Sequence, residues 1–149
     1  MHIEIDQSVK IEQTSDDTVL AYSDSKQFAI SIPAQVKRKA LVYLRGRGWL
    51  GKRAVLSCFA VGLFLLLEGI ASQVTLITID QEYQGHEADI KTMLLRHMRR
   101  VGLELNPDVI RFERLGKKSR AHKRAWGVQR GKIAPDREVT VGEFLDVLK

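Results

Sequence analysis

The stretch Val74-Thr75-Leu76-Ile77-Thr78-Ile79-Asp80 decides how this chain folds. Its apolar and β-branched residues run without a solvent-facing alternation. A strand of that kind lies inside a sheet whose two faces are both covered by helices. On its N-terminal side, Ala54–Leu67 is almost entirely apolar, and Ile70 and Ala71 extend it past Glu68 and Gly69. A membrane span needs about 20 such residues, so the shorter run reads as a buried core helix from about Lys52 to Ile70, with a membrane segment as the rival. On the C-terminal side, Ile90, Met93, Leu94 and Val101 fall on one face of a helix over Glu87–Val101. Asn106-Pro107 then marks a loop, and Val109–Leu115 reads as a further strand. Helix, strand, helix, strand in succession predicts a parallel pair.

The ends complete the pattern. His2–Gln13 alternates, with Ile3, Ile5, Val9 and Ile11 on one face, as a half-buried strand does. Thr14–Asp17 is a polar turn, and Thr18–Ser23 and Gln27–Ile32 are β-rich runs joined by the tight Asp24-Ser25-Lys26 hairpin. Pro33 suits the start of a helix over Ala34–Leu44, which Gly46, Gly48 and Gly51 end around Trp49. Ser119 is placed as N-cap of a helix from Arg120 to about Arg130, with Gly131 just past its end. Thr140 and Glu143 have capping-box spacing ahead of a short last helix that ends near Leu148. The expectation is one α/β domain over residues 1–149. Its mixed five-stranded sheet combines an antiparallel three-strand meander with two parallel strands, helices on both faces and a short C-terminal helix.

Composition narrows the class. The chain has 149 residues, 44% hydrophobic and 28% charged, which suits a globular core and excludes disorder. Cys58, the single cysteine, lies in the apolar run and fits a reducing compartment. Met1–Ser8 has no apolar signal core, so the expected location is cytoplasmic, with no membrane partner. The net charge of +6 is unevenly placed. Arg111, Arg114, Lys117, Lys118, Arg120, Lys123, Arg124, Arg130 and Lys132 crowd one segment in which Glu113 is the only acid. Such a field attracts phosphate backbones by releasing their counterions, which predicts RNA, DNA or hybrid as partner. Gly116 allows a tight turn there, and Ser119 opens a helix whose first amides would face a phosphate. Trp126 either stacks on a base or packs in the core. The rivals are a solvated charged face and an anionic membrane surface. The sequence also leaves room for a homodimer.

Three side chains stand out once the strands are laid down. Asp6 lies inside the first strand, Asp80 ends the fourth, and His122 is in the first turn of the basic helix. Clustered carboxylates hold divalent metals, and two metals about 4 Å apart generate a hydroxide and stabilise charge in phosphodiester hydrolysis. Mg²⁺ needs only a few carboxylates, and an imidazole also suits Mn²⁺.

The order of elements, the Asp6-Gln7-Ser8 segment and the apolar run ending in Asp80 resemble the ribonuclease H-like superfamily of nucleases. That resemblance implies a metal-dependent endonuclease with Asp6 and Asp80 as ligands and His122 as the third, in the manner of Asp-Asp-His members such as resolvases and Piwi nucleases. It further implies a fourth acid: Glu68, at the end of the apolar helix, or Glu82 or Glu87, which follow Asp80. Glu87 has an alternative role at the N-terminus of its own helix. The final-helix aspartate of cellular ribonuclease H is absent, since Ala121, Ala125 and Trp126 offer no acid. Two other classes compete: a nucleic-acid-binding module that does not cut, and an assembly or membrane-surface protein whose Ala54–Ala71 helix packs against a partner.

Overall fold

A computed structural model describes all residues, 1–149. Three strands, β1 (His2–Ser8), β2 (Thr18–Ser23) and β3 (Gln27–Ile32), are followed by helices α1 (Ala34–Gly46) and α2 (Lys52–Leu67). Strand β4 (Leu76–Asp80), helix α3 (Glu87–Arg100), strand β5 (Ile110–Glu113) and helix α4 (Arg120–Gln129) come next. Strand β6 (Arg137–Glu138) and helix α5 (Val141–Leu148) close the chain. The strands form one mixed sheet in the order β5-β4-β1-β2-β3-β6. Pairs β1–β2 and β2–β3 are antiparallel, whereas β1–β4, β4–β5 and β3–β6 are parallel.

The expected meander and parallel pair are both present, but the sheet has six strands, not five. The extra strand, β6, is two residues long and too short to leave a periodic signal. It is fixed from outside, because the Ala29 amide donates to Asp136 Oδ2 at 2.8 Å just before β6 pairs with β3.

The two faces of the sheet are unequally covered. On one, Ile3, Ile5, Leu20, Ile30, Ile32, Ile77 and Ile79 join a single large core with α1, α2, α3 and α5. Helix α2 lies in the middle of that layer, which explains why it is apolar all round, with 13 buried residues from Ala54 to Leu67. Gly62 lets it come close: a Cβ there would stand 2.8 Å from Leu20 Cδ1. No helix is long and apolar enough to cross a membrane. On the other face α4 packs alone, its Ala125 and Val128 against Val19, Ala21 and Ala29. The start of α4 lies beside the C-terminal end of β1.

Several boundaries depart from expectation for local reasons. β1 stops at Ser8, not Gln13, because Val9 adopts φ 66°, a left-handed conformation that a β-branched residue rarely takes. Ile11 is still fully buried, so its place in the alternation reflects a turn folding back onto the core. Helix α2 ends at Leu67, and Ala71–Gln73 forms a single 3-10 turn that delays β4 to Leu76. Strand β5 is trimmed to Ile110–Glu113. Gly131 follows α4 with φ 74°, and the Thr140–Glu143 capping box forms as expected. Ser119 holds the N-cap position of α4, but its hydroxyl does not cap the helix.

Candidate metal centre

The register of the sheet creates the site. In the parallel β1–β4 pair Ile5 is opposite Ile79, so one residue further on Asp6 and Asp80 emerge side by side, both on the α4 face. The carboxyl ends of parallel strands are where α/β proteins commonly place ligand sites. Just past β4 the chain turns, with the Glu82 amide bonded to the Asp80 carbonyl at 2.9 Å, and this brings the Glu82 carboxyl back over the strand ends. Ligand oxygens of Asp6, Asp80 and Glu82 all lie within 4.8 Å of one another.

Backbone amides aim the two aspartates. Gln7 N donates to Asp6 Oδ1 at 2.8 Å, and Leu115 N donates to Asp80 Oδ1 at 2.7 Å. The second Asp6 oxygen, Oδ2, is 2.7 Å from His122 Nδ1 on α4. His122 therefore reaches the centre through Asp6, and it is not one of the three groups that converge. Burial pushes the Asp6 carboxyl above its ordinary value, with Asp80 adding to the shift and the Gln7 amide and His122 opposing it. Glu82 is pushed up to about 8, first by burial and then by the hydrogen bond and charge of Asp80 and the charge of Asp6. Three acids are thus crowded into one partly desolvated spot, and their mutual repulsion is the condition a divalent cation relieves. The all-oxygen donor set fits Mg²⁺ or Mn²⁺.

Two further acids border the centre on the same face. Glu4, two residues before Asp6, accepts the Ser119 hydroxyl at 3.1 Å and so ties the start of α4 to β1. Glu113 is in register with Asp80 on β5. The other candidate acids lie elsewhere. Glu68 is at the C-terminal end of α2, 3.9 Å from Arg137 of β6 at the far edge of the sheet, where Arg137 also pairs with Glu143. Glu87 accepts the Gly85 amide at 3.2 Å and, with Asp89, supplies the acids of the first turn of α3.

The basic segment adjoins the centre. A pocket of about 630 Å³ is lined by Lys117, His122, Lys123, Trp126, Lys132 and Ile133 among others, so His122 borders both the carboxylates and this cationic recess. Trp126 is 42% exposed and not in the core, with the Arg130 guanidinium and Lys132 ammonium 5.1 and 4.9 Å from its ring centre. Arg111, Arg114, Lys118 and Arg120 are also exposed, and Arg120 donates to the Asp24 carbonyl at 3.2 Å. Arg124 is committed inward by an ion pair to Asp136 at 3.1 Å.

A buried lysine went unnoticed in the sequence. Lys37 of α1 is fully buried, and its ammonium donates to the Gln13 carbonyl at 2.7 Å, the Thr18 hydroxyl at 3.0 Å and the Lys10 carbonyl at 3.4 Å. It holds the turn that follows β1. The far side of that turn reaches the centre, since Lys10 Nζ is 3.3 Å from the Glu82 carbonyl oxygen. Burial pushes the Lys37 ammonium down to about 8. A lysine in an amphipathic helix looks solvated, so no local pattern marks its burial.

No protein-family model, curated protein or solved structure matches this chain.

Proposed function

We propose that the protein is a metal-dependent nuclease that hydrolyses phosphodiester bonds, built on a ribonuclease H-like arrangement of strands. The convergence of Asp6, Asp80 and Glu82 within 4.8 Å, beside a cationic recess, carries this reading. Asp6 and Asp80 would hold Mg²⁺ or Mn²⁺, with Glu82 completing the set. Divalent ions bound there would supply a hydroxide nucleophile and offset charge on the phosphate.

The remaining work falls to the chain's own groups. The Gln7 and Leu115 amides fix one oxygen of each aspartate, so that the carboxylates converge before any ligand arrives. His122 orients Asp6 from the opposite element, a role that partners of metal-binding carboxylates typically fill. Lys117, Lys123 and Lys132 would hold the phosphate backbone by charge, and Trp126 offers a face for stacking. A binding module that does not cut is the second reading. It is favoured by the engagement of both Asp6 oxygens in hydrogen bonds.

One assay separates the two. Labelled RNA, DNA, hybrid and branched duplexes are incubated with Mg²⁺, Mn²⁺ or EDTA. Cleavage is expected with either metal and is lost with EDTA and in Asp6→Asn or Asp80→Asn. Cutting that persists in EDTA or in both variants contradicts the metal mechanism. Retention of nucleic acid without cutting under every condition supports the module.

A further inference from the structure

A second cationic surface lies in the helix layer, across the sheet from the carboxylates. Between Pro33 and Leu67 the chain carries no acid, while Arg45, Arg47, Lys52 and Arg53 flank the turn that joins α1 to α2. The C-terminal half of α3 adds Arg96 and Arg100 to the same region.

These elements enclose a pocket of about 590 Å³, within the range of about 300–1,000 Å³ usual for small-molecule sites. Its lining combines the aromatic rings of Tyr43 and Trp49 with the guanidiniums of Arg47, Arg96 and Arg100. None of these three guanidiniums pairs with a carboxylate. Lys149, the last residue of the chain, also lines the pocket, whereas Asp89 and Asp146 line flanking depressions. Arg100 is already positioned by its bond to the Val147 carbonyl at 3.0 Å. Arg47 lies 5.9 Å from the centre of the Tyr43 ring, and Arg53 lies 4.2 Å from that of Trp49.

His97 borders the same pocket, and its Nδ1 is buried without a hydrogen-bond partner. Burial, then the charges of Arg100 and Arg96, push this imidazole down to about 4. It is therefore neutral near pH 7, and an unpaired polar atom at such a depth is costly unless something bonds to it.

Unpaired guanidiniums suit phosphate, because their planar forks match its oxygens. Aromatic rings beside them suit a flat ring. We propose that this pocket binds a nucleotide, its base against Tyr43 and Trp49 and its phosphates on Arg47, Arg96 and Arg100. The nucleotide is either free or one unit of a strand. The site owes nothing to the carboxylate centre and stands whether or not that centre cuts nucleic acid.

The test uses the full chain carrying Trp126→Phe, which leaves Trp49 as the one tryptophan. EDTA is present throughout, which removes any contribution from divalent ions. Trp49 emission is followed as ATP, a short oligothymidylate or inorganic tripolyphosphate is added, and calorimetry on the wild-type chain repeats each titration. Saturable binding of ATP is expected, at least tenfold tighter than tripolyphosphate. Arg96→Ala should weaken it at least tenfold, and Asp80→Asn should leave it unchanged. Saturation of the Trp49 signal by the oligothymidylate alone, lost in Arg96→Ala, assigns the nucleotide to a strand, and saturation by ATP assigns it to the free pool. The proposal is overturned if neither nucleotide changes Trp49 emission and neither shows a calorimetric signal that Arg96→Ala removes. It is equally overturned if tripolyphosphate binds as tightly as the nucleotide ligand that saturates, or if Arg47→Ala and Arg96→Ala both bind like the parent.

Discussion

His122 Nδ1 and Asp6 Oδ2 are 2.7 Å apart, which joins the first turn of α4 to the middle of the sheet. Asp6 is only 4% exposed whereas the His122 side chain is 36% exposed, so a half-open ring fixes the buried carboxylate that borders Asp80 and Glu82. Partners of this kind, when removed, cost about 10- to 100-fold in metal affinity or activity. His122→Ala is therefore expected to fold, to bind Mn²⁺ about 10- to 100-fold more weakly, and to lose less affinity than Asp80→Asn. Calorimetric titration of the three proteins checks the order. Wild-type affinity in His122→Ala would remove the histidine from the account.

Crowding of the three acids gives the metal-free protein a distinctive pH response. Glu82 is raised from 4.5 to about 8, so its contribution to stability is full below pH 4.5 and is lost as pH rises through 8. Thermal melts in EDTA should show that loss between pH 5 and 8.5, and Glu82→Gln should flatten it. Mn²⁺ should raise Tm more at pH 8 than at pH 5, because the ion must displace the proton. Equal stabilisation by Mn²⁺ at both pH values would contradict the shared site.

What the sequence made legible was the part fixed by backbone period and register. Asp6 and Asp80 each follow an isoleucine that faces the core, and parallel pairing of those isoleucines leaves the aspartates nowhere to go but together. His122 was visible for a similar reason, as a first-turn residue on the helix that covers that face. What stayed hidden depends on side chains reaching between elements. Ser119 has the spacing of a cap, yet Glu4 captures its hydroxyl. Glu68 is the one acid at the end of the apolar helix, yet the short β6, itself unforeseen, brings Arg137 to it. The alternation of β1 runs on through Ile11 although the strand ends at Ser8, because local pattern carries no record of the turn at Val9.

Lys37 offers a test of that turn. Lys37→Met keeps the buried length but leaves the Gln13 and Lys10 carbonyls and the Thr18 hydroxyl without their donor. The expected cost is about 1–3 kcal/mol in urea unfolding at pH 7. The folded-state shift from 10.5 to about 8 means the lysine's own contribution is fully present above pH 10.5 and is lost as pH falls through 8. Wild type should therefore gain on Lys37→Met as pH rises from 8 to 10.5.

At the other end of the chain, the Thr140 hydroxyl accepts the Glu143 amide at 3.2 Å while the Glu143 carboxylate accepts the Thr140 amide at 3.0 Å. Thr140→Ala is expected to cost about 0.5–2 kcal/mol, read from the shift in urea midpoint. Ser119→Ala should act differently, loosening the start of α4 with a smaller loss in global stability, since no cap bond is removed there.

If the recess beside His122 holds phosphates, nucleic-acid affinity must fall with salt. The slope of log affinity against log salt should shrink by about one for each of Lys117, Lys123 and Lys132 changed to Ala. Arg124→Ala should leave the slope nearly unchanged, because that guanidinium is already paired with Asp136. Fluorescence anisotropy over a salt series measures both.

Crystals soaked in Mn²⁺ and measured near the manganese edge test the centre itself. Anomalous density is predicted at a point within about 2.5 Å of carboxylate oxygens from both Asp6 and Asp80, and it should vanish in Asp80→Asn. Peaks confined to other surface carboxylates, with none between these two residues, would contradict the account.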